Sequence, residues 1–390
     1  MLYTEAQSRK GVLLQAFSHL SVDFYQGAIA AIVPFLVLER GWTYSEAASI
    51  VLTSSLASSI MQPIFGVLGD KWRMRWLIPL SILCGGLGVA AISLSTSQPF
   101  AMVVAALSGA GVAGFHPTSA NRAREIAGSN TVFMSWYALG GNIGFAIAPL
   151  VVAATVGVWG LAASPALIVP ALFGVFGNGL ADRICPVPRG TVGAGMAKSG
   201  TDDWRNFLSL GAVVSLRSIC FVGISSFIVL FMHEYRGVGD RLANLSLFAL
   251  YVGGAFGTAI GGNLAKRWGR VAIMRASYLA SVPAVAALFL VPGPAAWIFI
   301  LVVSITLYVP FSLQMTLGQD YLPEHMGTAS GVTLGLAVSI GGLASPLVGK
   351  AGEAWGLDMA LLPLIAMPAL AALVLMFMTE PRREQPQPAA

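Results

Sequence analysis

Four polar side chains share one face of an otherwise apolar stretch near the N-terminus. Gln15, His19, Asp23 and Gln26 follow one another at i, i+4, i+8 and i+11, which puts all four on one side of an α-helix. His19 and Asp23 are one turn apart and close enough to interact. A carboxylate beside an imidazole can take up and release a proton near neutral pH. The pair is therefore a candidate proton-coupling site, or a fixed hydrogen-bonded pair that pins helix packing. Ionisable groups inside a membrane span are costly, and they usually face a cavity and carry function.

Further candidates lie deeper in the chain. Arg217 sits well inside an apolar stretch, too far from its ends for easy snorkelling. It is expected either to attract an anionic substrate such as a phosphonate or to neutralise Asp23. His116 precedes Pro117, where the proline frees backbone carbonyls and bends the helix. It reads as a titrating site or a gate hydrogen bond. Asn142, Tyr308 and Gln314 add hydrogen-bonding capacity, with Ser304, Tyr308 and Ser312 in one helical stripe. Trp136, Tyr137, Phe221 and Phe227 are candidates for an aromatic wall.

These residues must be positioned by helices in lipid. Of 390 residues, 56% are hydrophobic and 10% charged, against about 25% charged in a typical soluble domain. The mean hydropathy is +0.77. A net charge of +5 does not point to nucleic acid, because the bases sit in short segments between apolar stretches. Twelve stretches are long enough to span a bilayer: 11–38, 45–68, 76–95, 98–120, 131–156, 161–181, 207–233, 241–264, 271–291, 295–318, 328–350 and 358–379. The first is expected to be retained rather than cleaved, since His19 and Asp23 do not belong in a signal core. With both termini cytoplasmic, only Arg40, Arg236, Arg241 and Lys350 of the 22 Lys and Arg lie outside and Arg217 within a span. That asymmetry favours this orientation. Segment 182–206 is polar and glycine-containing and reads as a linker between residues 1–181 and 207–390.

The two halves repeat. Gly66-Val-Leu-Gly-Asp70-Lys71-Trp72 matches Gly262-Asn-Leu-Ala-Lys266-Arg267-Trp268, and Ala148-Pro149-Leu150-Val151 matches Ser345-Pro346-Leu347-Val348 at nearly the same offset. Such a repeat implies two six-helix bundles related by an axis along the membrane normal, with substrate bound between them. Residues 66–75 resemble the loop signature of the major facilitator superfamily through Gly66, Asp70, Lys71 and Arg75. Ser18-His19-Leu-Ser-Val-Asp23, Gln62-Pro63-Ile-Phe-Gly66, Phe115-His116-Pro117, Gly140-Gly141-Asn142-Ile-Gly144 and Pro323-Glu324-His325-Met-Gly327 resemble the fosmidomycin-resistance type of drug exporter. Thr118 stands where those exporters have Glu, which weakens any carry-over of proton coupling to that position.

The resemblance implies an all-α membrane protein, with twelve transmembrane helices in two pseudo-symmetric six-helix bundles. It also implies a proton-coupled exporter in the cytoplasmic membrane. In that frame Asp70 is expected to dock on the N-terminus of the eleventh span near Thr328. Arg122 or Arg124 would lie alongside, and Asp320 would invert the charge of Arg124 in the second half. These contacts would hold the cytoplasmic side shut by about 1–3 kcal/mol. Cys84, Cys185 and Cys220 lack metal or disulfide spacing, the four histidines are scattered in sequence, and no Walker loop, HExxH or GxSxG occurs. No enzyme, cofactor or metal is expected. The expected partners are the bilayer, protons and a small-molecule substrate, with no nucleic acid, for a chain working as a monomer. An importer or facilitator of a small organic anion on the same fold is the competing reading.

Overall fold

The computed structural model describes residues 3–42, 44–72, 74–92, 94, 95, 97–186 and 201–381. Arg73 and most of the expected linker fall outside the described residues. The described chain is helical throughout, and among the described residues no strand forms. The elements are α1 (Glu5–Arg40), α2 (Tyr44–Lys71), α3 (Leu77–Ile92), α4 (Gln98–Ala127), α5 (Thr131–Trp159), α6 (Val169–Ile184), α7 (Trp204–Arg236), α8 (Asp240–Trp268), α9 (Arg270–Leu290), α10 (Ala296–Tyr308), α11 (Phe311–Tyr321), α12 (Met326–Trp355), α13 (Leu357–Leu361) and α14 (Ala366–Met376). Ten helical stretches among the described residues are long and apolar enough to cross a membrane. The 36-residue α1, which carries the polar stripe, and the shorter α3 complete the twelve spans.

Local chemistry sets the breaks. Asn130 caps α5 by accepting from the backbone N–H groups of Val132 (3.0 Å) and Phe133 (3.3 Å). Gly160, at φ 73°, ends that helix and separates it from a 3₁₀ turn, Leu161–Ile168, that leads into α6. The tenth span is not the single helix its sequence predicts. It divides at Val309-Pro310 into α10 and α11, because the proline ring cannot continue the ladder of backbone bonds. The twelfth span is similarly built from α13, a 3₁₀ turn at Leu362–Ile365 and α14.

Each half has its own apolar core. One runs from Val22 to Ala171 and the other from Phe207 to Met378. A smaller cluster, including Phe133, Met134, Tyr137, Met315 and Leu334, bridges them. The halves meet where α2 crosses α12, α5 runs along α8, and α4 and α5 approach α11 and α12. The hydrogen bonds across this seam gather toward one end of the molecule. Thr131 Oγ1 donates to Gly262 O (3.1 Å), Ser135 and Ser312 share a bond of 2.8 Å, and Ser330 Oγ donates to Asn121 Oδ1 (3.2 Å). That end carries the connections from α2 to α3, α4 to α5 and α8 to α9.

Candidate functional site

Asp23 is the centre of the first cluster. Its Oδ2 lies 3.2 Å from His19 Nε2, and its Oδ1 lies 2.9 Å from His116 Nε2. The histidines scattered in sequence thus converge in space, one from α1 and one from α4. Asp23 keeps 16% side-chain exposure, while the His19 and His116 side chains keep 3% and 7%. The room for them comes from Gly141 on α5, where any side chain would strike Asp23 and His19.

The protonation pattern follows from the partners. His19 Nδ1 is 3.0 Å from the carbonyl oxygen of Tyr137, and a carbonyl only accepts, so Nδ1 carries a hydrogen. In a neutral imidazole Nε2 would then present a lone pair to the Asp23 carboxylate. The contact therefore needs one more proton, held between His19 and Asp23. His116 meets Asp23 as an Nε2–H donor, which leaves its Nδ1 buried without a partner. Tyr137 stacks on the His19 ring at 4.5 Å and fixes its plane. No signal in the sequence marked Tyr137 for this role, because its backbone oxygen does the work.

Arg217 is not the counter-ion of Asp23. The sequence offset placed the two opposite each other, but among the described residues no ion pair joins them. Arg217 instead lies 2% exposed on α7, its guanidinium 5.3 Å from the ring centre of Tyr308 and 5.1 Å from that of Phe311. The break between α10 and α11 delivers these two rings. The Nε and Nη1 atoms of Arg217 are buried with no hydrogen-bond partner in the protein. A buried guanidinium with unsatisfied donors costs free energy unless an anion supplies the acceptors. Tyr308 is close enough to feel the charges of both Arg217 and Asp23, so the two centres share one neighbour.

The other predicted residues divide between the cavity and the scaffold. Gln26 is half-buried one turn beyond Asp23. Gln15, by contrast, is fully buried and tied to Asn178 (2.9 Å) and Ser119 (3.2 Å), so the lower end of the stripe is packing. Asn142 donates to Thr258 Oγ1 (2.8 Å) and bridges the halves. Gln314 donates to the Tyr278 hydroxyl at 2.6 Å, next to the aromatic wall of Arg217. The serine stripe of the tenth span does not share one surface: Ser304 bonds to Leu250 O and Ser312 to Ser135. Phe221 packs on Tyr308 at 4.6 Å, Phe227 lies under Gly349, and Trp136 meets Arg9 away from the cluster.

At the closed end Asp70 docks on the N-terminus of α12. It accepts from the N–H groups of Gly327 (2.5 Å) and Thr328 (2.8 Å) and from Thr328 Oγ1 (2.6 Å). Gly66 makes this possible, because a Cβ there would sit 2.5 Å from Gly327 O. Lys71 is exposed beside it. Arg122 and Arg124, expected alongside Asp70, are each held by other carboxylates. Arg122 pairs with Asp182 (2.9 Å) and Glu125 (3.3 Å), and Arg75 joins Glu125 at 3.2 Å. Arg124 crosses the seam to Asp320 (2.5 Å), which also holds Arg270 (2.6 Å), and Arg270 in turn holds Glu380 (2.7 Å). The charge inversion between Arg124 and Asp320 is thus a direct ion pair. Glu380, Glu125 and Asp182 were not legible as partners, being single charges near helix ends. The repeat was the signal that could have found them, since each half builds one such network.

Among the described residues two groups have a spacing that a metal ion would also tolerate: His19, Asp23 and His116, and Asp202, Glu324 and His325, each with ligand atoms within 4.8 Å of one another. In the first, a proton between His19 and Asp23 would satisfy the same contact. In the second, Asp202 binds His325 and the Glu324 N–H at the start of α12.

Comparison with known proteins agrees with this architecture. The chain is 30% identical to the fosmidomycin resistance protein of Escherichia coli (strain K12), covering 93% of each chain. It is 27% identical to the uncharacterized MFS-type transporter YfnC of Bacillus subtilis (strain 168), covering 93% of this chain and 91% of that one. Among solved structures it resembles FucP, a transporter seen in the outward conformation, with a TM-score of 0.71 at 15% identity over 93% of this chain and 98% of the other. A bacterial homologue of the iron transporter ferroportin, in its outward-facing state, gives 0.71 at 17% identity over 95% and 98%. The Major Facilitator Superfamily profile matches residues 15–346. With twelve spans in two bundles, the chain belongs to the Major Facilitator Superfamily and is a multi-pass membrane transporter rather than an enzyme.

Proposed function

We propose that the protein is a proton-driven exporter of a small drug-like or phosphonate-like compound in the cytoplasmic membrane, with both termini cytoplasmic. The observation that carries this reading is the extra proton required between His19 and Asp23. Loss of that proton turns a stabilising contact into a repulsive one and frees Asp23 to change partners. The excess of basic residues makes the closed end cytoplasmic, so the Asp70 dock and the Arg124–Asp320 pair hold an outward-facing state. Gln26, Tyr308 and Arg217 line the substrate's path, with Arg217 supplying the positive charge. The chain acts as a monomer, each half being one side of the gate. The relative named for fosmidomycin resistance supports export of a phosphonate.

The test is transport in inside-out vesicles with an acid interior, using a panel of phosphonates and drugs. Accumulation driven by the gradient and lost in Asp23→Asn supports the reading. Accumulation that ignores the gradient, or an Asp23→Asn variant equal to wild type, sinks it. A second reading, a facilitator or importer of a small organic anion, is favoured by the unsatisfied Nε and Nη1 of Arg217. In that case Arg217→Gln abolishes transport while Asp23→Asn does not.

A further inference from the structure

A groove runs along the outer face of the first half, between α1 and α5. Its cavity of about 360 Å³ is lined by Leu13, Phe17, Leu20, Leu139 and Ile143, with Ala16 and Gly140 at its floor and Arg9 and Trp136 at one end. Leu13, Phe17 and Ile143 are exposed, and nothing in the transport cycle described above uses them. The Arg9 guanidinium stacks over the Trp136 ring at 5.9 Å, and among the described residues no carboxylate pairs with it. Lys10 is exposed beside it.

We infer that this groove binds one anionic phospholipid, with its phosphate at Arg9 and one acyl chain lying along α1 and α5. Three independent features fit that occupant. The first is length: from Arg9 to Leu20 the α1 axis rises about 16 Å, close to the ~15 Å depth of one leaflet of a bilayer core. The second is polarity, since a cation and an interfacial tryptophan stand at one end and apolar side chains fill the rest, as the cross-section of a single leaflet demands. The third is charge: basic pockets between spans on the cytoplasmic side attract anionic headgroups, and Arg9 lies at the end that carries the excess of bases. A protein ligand would leave the aliphatic stretch facing lipid uncovered.

The groove lies directly behind the proton cluster. Gly140 faces it, while the next residue, Gly141, abuts His19 and Asp23. A lipid seated here braces the α1–α5 contact on which the cluster is built. The binding inference itself does not depend on what is transported.

Native mass spectrometry of the purified full chain tests it, using phosphatidylglycerol and phosphatidylcholine with identical acyl chains. Wild type is expected to retain phosphatidylglycerol about five-fold better, the factor for one interfacial arginine. Arg9→Gln should erase that preference and Arg9→Lys should keep it. Ile143→Trp, which fills the groove, should displace the lipid while leaving the headgroup charge untouched. Glycerophosphate at the same concentration should not compete, since it lacks the chain. Equal retention of the two lipids by wild type, an unchanged preference in Arg9→Gln, or displacement by glycerophosphate would each overturn the site. Size-exclusion profiles and unfolding temperatures of the variants, matched to wild type, separate lost lipid from lost fold.

Discussion

Removing the carboxylate of Asp70 should open the closed end, and the size of the effect can be worked from its bonds. Three donors on the first turn of α12, two of them backbone N–H groups, converge on it at 2.5, 2.6 and 2.8 Å. A hydrogen bond to a charged group contributes about 1.5–3 kcal/mol net, and a carboxylate at a helix N-terminus gains about 0.3–1 kcal/mol more. Asp70 is only half-buried, so water replaces much of this when the seam parts. A net bias of about 2 kcal/mol remains, equivalent to a factor of roughly 30 in the ratio of closed to open states. Asp70→Asn keeps one acceptor and loses the charge, and should give up most of that factor. Thr328→Val loses one bond of three and should shift the ratio about five-fold. The assay is a distance distribution between spin labels at Ser129 and Lys266, exposed on either side of the α5–α8 seam, after replacement of the three native cysteines. A new, longer-distance population in Asp70→Asn, and a smaller one in Thr328→Val, is the expected result. Identical distributions in wild type and Asp70→Asn would refute the lock.

Three further outcomes follow from the same geometry. Gly66→Ala should part the α2–α12 seam without touching any charge, because its Cβ would sit 2.5 Å from Gly327 O; the same spin-label pair reads it, and an unshifted distribution refutes it. Asp320→Asn removes the carboxylate charge shared by Arg124 and Arg270, so it should destabilise the protein by about 3 kcal/mol. Arg124→Gln should cost less, since Asp320 keeps Arg270; equal unfolding temperatures for the two variants would contradict this. Arg217→Met removes a buried cation whose Nε and Nη1 lack acceptors and should raise thermal stability, while abolishing any stabilisation of the protein by added phosphonates. A loss of stability would mean that the guanidinium is structurally paired.

The sequence displayed what depends on periodicity and composition, and hid what depends on backbone atoms and on long-range pairing. Span positions, the repeat and the Asp70 dock were legible because apolar length, Lys and Arg distribution and a helix N-terminus are local properties. The division of the tenth span was visible as Pro310, yet its consequence, delivery of Tyr308 and Phe311 onto Arg217, needed the fold. Asp23 and His19 were legible as a one-turn pair. The approach of His116 from α4 was not, because nothing local in either segment fixes how α1 and α4 cross. The offset that aligned Arg217 with the Asp23 region did not give its partner, since no ion pair joins the two among the described residues. Pseudo-symmetry equates backbone positions, whereas an ion pair needs two side chains to reach one another, and the Arg217 guanidinium is turned onto Tyr308 and Phe311 instead.

The two centres also predict the sign of coupling, which differs between the two transport readings. Asp23 and Arg217 carry opposite charges and both act on Tyr308. If they communicate through charge alone, a proton on Asp23 cancels a negative charge near the anion site, and anion binding tightens as pH falls. Charges that interact by about 1.4 kcal/mol across a site change affinity by roughly ten-fold. That sign belongs to symport, in which proton and anion travel together. Antiport of an anion requires the opposite sign, and the structure offers one route to it. The proton between His19 and Asp23 relieves a lone-pair repulsion within α1, and without it the two side chains push apart, which loosens the bonds of His19 to the Tyr137 carbonyl on α5 and of Asp23 to His116 on α4. A substrate that needs those helices moved apart would then bind better once the proton leaves. Phosphonate affinity measured between pH 5.5 and 8.5, in wild type and Asp23→Asn, separates the two. Tightening toward alkaline pH, abolished in the variant, is the expected result for an exporter. Tightening toward acid pH, with the variant locked in the tight state, would refute antiport and make the protein a proton–anion symporter organised around Arg217.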